Sequence, residues 1–129
     1  AKESMYNTPA VFATYASLLT LQWLKNLGGI SAIEKINEAK ANLLYTEIDR
    51  NPLFRGTAVA EDRSIMNATF LLNDEAHKEQ FDLLWKEAGI SGLNGHRSVG
   101  GYRASMYNAL PLESVQVLVD VMKNLENKI

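Results

Sequence analysis

The chain contains no cysteine. That excludes a disulfide framework and a thiolate metal site. It is compatible with a reducing cytoplasm, where the protein is expected to reside. Only two histidines are present, His77 and His96, and neither has neighbours at metal-ligand spacing, so no metal site is expected. There is no surplus of positive charge: 13 Lys and Arg against 15 Asp and Glu give a formal net charge of −2. A general nucleic-acid binder would carry a basic excess, so no nucleic-acid partner is expected. Long hydrophobic runs are also missing. The most apolar stretch, Ala10–Leu24, includes Thr, Ser and Gln and falls short of the ~20 residues that a membrane-spanning helix needs. The start, "AKESMYNTP", lacks the layout of a signal peptide. The sequon "NAT" at Asn67–Thr69 is therefore read as chance. No nucleophile-elbow motif occurs. No Gly-Lys-Ser/Thr follows Gly100–Gly101 to make a phosphate-binding loop.

What is present fits one globular domain over residues 1–129, with 47% apolar and 22% charged residues. Val11, Phe12, Tyr15, Leu18, Leu19 and Trp23 recur at helical spacing. They predict a largely buried helix, with Thr8 as N-cap, Pro9 as first helical residue and Gly28–Gly29 as its end. "SAIE" at Ser31–Glu34 is a capping-box pattern. It opens a second helix to about Asp49, with Ile33, Ile36, Ala39 or Lys40, Leu43, Leu44 and Ile48 inward. Thr57–Val59 fits a short strand. "IMNATFLL" at Ile65–Leu72 alternates as a strand does. Asp74 is placed to cap a third helix ending at Gly89, with Phe81, Leu84 and Trp85 inward. "YRASMYN" follows as a strand, and "LPLESVQVLVDVMKNLE" as a last amphipathic helix. The order predicts an α+β two-layer fold, with a small antiparallel or mixed sheet and helices packed on it.

Two stretches carry the chemistry. In "GHRSVGGYRASMYN", Gly95–Asn108, His96, Arg97 and Arg103 accompany three glycines. A guanidinium is a rigid fork of donors matched to carboxylate or phosphate. Arg97 falls on a loop and Arg103 on a strand, so they suit two different anionic groups. His96 adds a donor when protonated. The plainer reading is a surface loop with solvated arginines. In "SMYNTP", Ser4–Pro9, the predicted helix start and the side chains of Asn7 and Thr8 suit an anion. Simple capping is the plainer reading there. Glu61, Asp62 and Arg63 read as a solvated turn, and His77 as an exposed helix-start residue.

Together, "SMYNTP", "EDRSIMNATF" (Glu61–Phe70) and "GHRSVGGYRASMYNALPLESV" (Gly95–Val115) resemble the phosphoserine aminotransferase family, in the right order along essentially the whole chain. The resemblance implies the C-terminal small domain of a fold-type I pyridoxal 5'-phosphate enzyme. Such enzymes convert 3-phosphohydroxypyruvate and glutamate into O-phosphoserine and 2-oxoglutarate in serine biosynthesis. In many bacteria they also serve pyridoxine biosynthesis. They are homodimers with active sites at the subunit interface. By the same resemblance, Arg103 holds the substrate α-carboxylate, and His96 with Arg97 helps bind the substrate phosphate by reaching into the partner's site. Asn7 and Thr8 bind the cofactor phosphate across the dimer.

One departure limits the reading. The family's Schiff-base lysine precedes "SMYNTP", and no lysine here stands in its motif. The chain is therefore expected to be a domain of the aminotransferase, inactive alone, that supplies the substrate grip. The alternative is a stand-alone, non-catalytic anion-binding module derived from that domain.

Overall fold

A computed structural model of the chain describes residue 3, residues 6–98 and residues 100–129. Ser4 and Met5 of the first motif and Val99 of the last lie outside the described residues. The chain divides into two compact units, Ala1–Glu34 and Lys35–Ile129, and each is described by itself.

The first unit holds helix α1, Val11–Leu27. It starts two residues later than the sequence predicts. The Pro9 carbonyl accepts from Val11 N–H at 2.8 Å in a tight turn, so helical bonding begins with Thr14 N–H on the Ala10 carbonyl at 3.0 Å. Ala10, not Thr8, is the N-cap, and no side chain caps the helix. The end is as expected. Gly28 takes a left-handed conformation at φ 112°, and Gly29 N–H reaches back to the Leu24 carbonyl at 2.9 Å. Helix α2, Ile30–Arg50, begins at once. Ser31 therefore lies inside α2 and the expected capping box does not form.

The expectation of a largely buried first helix is overturned: α1 has no buried residue. Phe12 is 84% exposed and Leu21 62%. Apolar periodicity shows which side chains want cover, not what supplies it. Contiguous exposed apolar surface promotes association. The chain alone is thus expected to self-associate in sedimentation, and a 14.4 kDa monomer persisting at high concentration would contradict this.

In the second unit, three antiparallel strands pair in the order β1 (Phe54–Gly56), β2 (Asn67–Leu72), β3 (Tyr102–Ser105). The first strand replaces the one expected at Thr57–Val59. The Asn51 side chain accepts from Leu53 N–H at 3.1 Å, and the Asn51 carbonyl accepts from Phe54 N–H at 3.1 Å. This turn ends α2 and starts the strand immediately, which sends the Phe54 ring inward. Alternation then sorts the faces. Ala68, Phe70, Leu72, Tyr102 and Ala104 are buried, whereas Arg55, Leu71 and Arg103 point away from the core.

The later part of α2, α3 (Lys78–Glu87) and α4 (Leu112–Glu126) cover the buried face. They bring Leu44, Ile48, Phe81, Trp85, Val119 and Met122 into one core. Asp74 caps the turn before α3 by accepting from Ala76 N–H at 2.9 Å. His77 ends that turn half-buried rather than exposed.

Two polar clusters pin the core. The Phe81 and Tyr102 rings meet edge to face at 4.9 Å, and the Tyr102 hydroxyl donates to Asp82 at 2.9 Å. Trp85 Nε1 and Lys78 Nζ also donate to Asp82, each at 3.0 Å. Burial pushes the Asp82 carboxyl up, but these three donors outweigh it and hold it below the ordinary carboxylate value. Its contribution to stability is therefore complete above 3.8, the ordinary value, and drains away as pH falls through the lower folded value. Asp82→Asn should cost about 2 kcal/mol at neutral pH. In urea titrations at several pH values, the variant should lack the wild-type loss of stability on this acid limb.

The second cluster surrounds Lys40. The helical pattern left Ala39 or Lys40 for the inward position, and the structure buries Lys40 completely. Its Nζ donates to the carbonyls of Met106 (3.2 Å), Tyr107 (2.8 Å) and Leu110 (3.1 Å). Asn37 donates to the Asn108 side chain at 2.8 Å. Helix α2 thereby fastens the turn between β3 and α4.

Candidate functional site

Strand β3 and the loop before it carry the candidate residues. Arg103 stands opposite Thr69 on β2, and its N–H donates to the Leu93 carbonyl at 2.7 Å. The pleat turns its side chain to the exposed face.

The loop is wound tightly. Gly95 N–H donates to the Gly101 carbonyl and Gly100 N–H to the His96 carbonyl, both at 2.8 Å. A Cβ on Gly95 would collide with the Gly100 carbonyl oxygen. A Cβ on Gly101 would lie 2.8 Å from the Phe70 carbonyl oxygen, on a backbone already at φ +65°. No other residue type fits either place. The winding exposes His96, Arg97 and Ser98 at the tip.

The arginines divide sharply. Arg63 grips Asp49 through two bonds of 2.7 Å and stacks over Tyr45 at 4.6 Å. That corrects the reading of Arg63 as part of a solvated turn, although Glu61 and Asp62 are exposed as expected. Arg50 is bound by Glu47 and Glu126. Arg55 donates to Asn73 and the Leu72 carbonyl. Among the described residues, Arg97 and Arg103 have no acidic or hydrogen-bonding side-chain partner. Two uncommitted guanidinium forks on one short segment form a site with capacity for anions.

A cleft of about 340 Å³ lies beside β3, bordered also by the segment after α3 and by the start of α4. Arg103, Ser105, Leu93 and Ser114 border it, but His96 and Arg97 do not. Among the described residues, no group of His, Asp and Glu could hold a metal ion. Among the described residues, no helix is long and apolar enough to cross a membrane.

Asn7 and Thr8 belong to the first unit. Both are exposed just ahead of α1, whose first turn has neither an acidic residue nor a side-chain cap. The donors there suit an anionic group, even though Thr8 is not the cap itself.

A family model described as aminotransferase class-V matches residues 1–118, nine-tenths of the chain. The chain belongs to the class-V aminotransferase family. Within it, the resemblance is to phosphoserine aminotransferases. The phosphoserine aminotransferase of Flavobacterium psychrophilum is 84% identical over 127 residues, which are 98% of this chain and 36% of that protein. That of Porphyromonas gingivalis is 55% identical over 98% of this chain and 36% of its own length. The structure of the Bacillus circulans enzyme superposes with a TM-score of 0.90 at 40% identity, covering 98% of this chain and 36% of that one. A pyridoxal-phosphate-bound phosphoserine aminotransferase from Trichomonas vaginalis gives 0.82 at 39% identity, over 92% of this chain and 34% of that one. The chain thus spans about a third of the length of these relatives.

Proposed function

We propose that the chain is the C-terminal small domain of a cytoplasmic, homodimeric phosphoserine aminotransferase of serine biosynthesis, and that it grips the substrate. The observation that carries this reading is two uncommitted arginines close in sequence, Arg97 beside His96 on a loop only glycine can wind and Arg103 on the strand that follows. Arg103, on the rigid strand, suits the α-carboxylate shared by every amino-acid substrate. Arg97 and His96, at the loop tip, suit the phosphate that distinguishes O-phosphoserine and 3-phosphohydroxypyruvate. A phosphorylated hydroxythreonine of pyridoxine biosynthesis would present the same two groups. Glutamate is the amino donor.

Asn7 and Thr8 fit the phosphate of pyridoxal 5'-phosphate in the partner subunit's site, because the segment offers donors and no acidic residue. When bound, the cofactor supplies the carbonyl that carries the amino group and the electron sink that lets the Cα proton leave. The lysine that moves that proton lies outside this chain in the reading, so the chain alone is inactive. Its own residues bind the substrate's anionic groups, Arg103 the carboxylate and His96 with Arg97 the phosphate in the partner's site, so that the dimer holds the Cα in place.

Arg97→Ala in the full-length enzyme tests the reading. Losing a charge-assisted pair should lower kcat/KM for O-phosphoserine by about 50-fold. The loss for serine, which lacks the phosphate, should be far smaller. Equal losses for both would sink the phosphate assignment.

A further inference from the structure

The loop tip contains one side chain whose role the sequence did not suggest. Ser98 Oγ lies 2.6 Å from His96 Nδ1. Ser98 main-chain N–H donates to the same nitrogen at 3.3 Å. An amide N–H can only donate, so Nδ1 uses its lone pair to accept, and the ring proton of neutral His96 sits on Nε2. The contact also fixes the plane of the ring, because both partners come from a residue inside the Gly95–Gly101 closure.

We propose that Ser98 is a positioning residue that holds His96 in the Nε2–H tautomer, so that the ring presents a directed donor to the substrate's phosphoryl oxygen. The proposal rests on the assignment of His96 and Arg97 to the phosphate. A free neutral histidine has two tautomers, and the other would aim an Nε2 lone pair at the anion. Under this arrangement Arg97 supplies the charge and His96 the direction.

The test uses the full-length enzyme with ¹⁵N-labelled histidine, the His96 signals being assigned by their loss in His96→Gln. Wild type should show an accepting Nδ1 and a protonated Nε2, whereas Ser98→Ala should show a tautomer mixture that Ser98→Thr restores. One net hydrogen bond corresponds to about a fivefold fall in the O-phosphoserine-to-serine preference of Ser98→Ala, again restored by Thr. His96→Gln, which keeps a donor at the ε position, should retain more of this preference than His96→Asn, which moves it to the δ position. Ser98→Ala without a change of tautomer, or His96→Asn equal to His96→Gln, would overturn the role of Ser98 alone. A wild-type enzyme with no preference for O-phosphoserine over serine would overturn the phosphate reading and this role with it.

Discussion

Gly95→Ala should lower kcat/KM of the full-length enzyme for O-phosphoserine by about 100-fold, the order of loss that follows a displacement of about 1 Å at a positioned group. The cause is local. The new methyl group would occupy the place of the Gly100 carbonyl oxygen, and it would lie 3.0 Å from that of Gly101. Both oxygens belong to backbone, so the strain cannot be relieved by turning a side chain. The loop must open, and the Gly95 N–H bond to the Gly101 carbonyl must lengthen or break. His96 and Arg97 then lose the positions that the closed loop gives them. Gly92→Ala is the control. Its φ of +70° is also left-handed, but nothing lies within 4 Å of the added methyl. That change should cost about 1 kcal/mol of stability through backbone strain, with little effect on substrate preference. A Gly95→Ala enzyme of wild-type efficiency would show that the tight winding does not position the grip.

Lys40→Met carries the largest expected effect on stability, about 3 kcal/mol, corresponding to a fall in Tm of about 10 °C. Two opposing contributions decide the sign. Removing a buried ammonium that has no carboxylate partner relieves a desolvation cost. Against this, three carbonyls in a dry interior lose their donor, each at a cost of about 1–3 kcal/mol. Methionine is close to lysine in volume, so no cavity confuses the comparison. The sum of three unmet acceptors exceeds the relief. Burial also holds the Lys40 ammonium below its ordinary value of 10.5, so the unfolded chain binds this proton more tightly. Wild-type stability should therefore gain as pH rises toward 10.5 through that window, and Lys40→Met should lack the gain. Urea unfolding at matched protein concentration reads both effects. A variant as stable as wild type would mean that water replaces the amine.

The parts of the fold legible in the sequence were those governed by periodicity and local turn chemistry. Phe81, Leu84 and Trp85 announced the buried face of α3, and Ala68, Phe70 and Leu72 that of β2. Asp74 and Gly28 marked ends because their own backbone neighbours complete the motif. Ser31 failed as a cap because the two glycines before it let α2 start earlier. The short strand was misplaced because the Asn51 turn, with no hydrophobic pattern of its own, sets where it begins. Of the site, residue type and loop composition were visible, and the family resemblance supplied roles. The long-range placements were not. Nothing local separates Ala39 from Lys40, since the choice depends on carbonyls about 70 residues away. The Ser98–His96 contact had a local signal, a hydroxyl two residues after a histidine, but only geometry shows which ring nitrogen it meets.

The Lys40 clamp has a consequence for covalent chemistry. An amine-reactive reagent needs a free, accessible amino group, and the Lys40 amine is fully covered with all three of its donor directions in use. It can be modified only when the turn from Met106 to Leu110 parts from α2. Its rate of labelling, set against that of the exposed Lys35 or Lys86, is a clock for the opening of that seam.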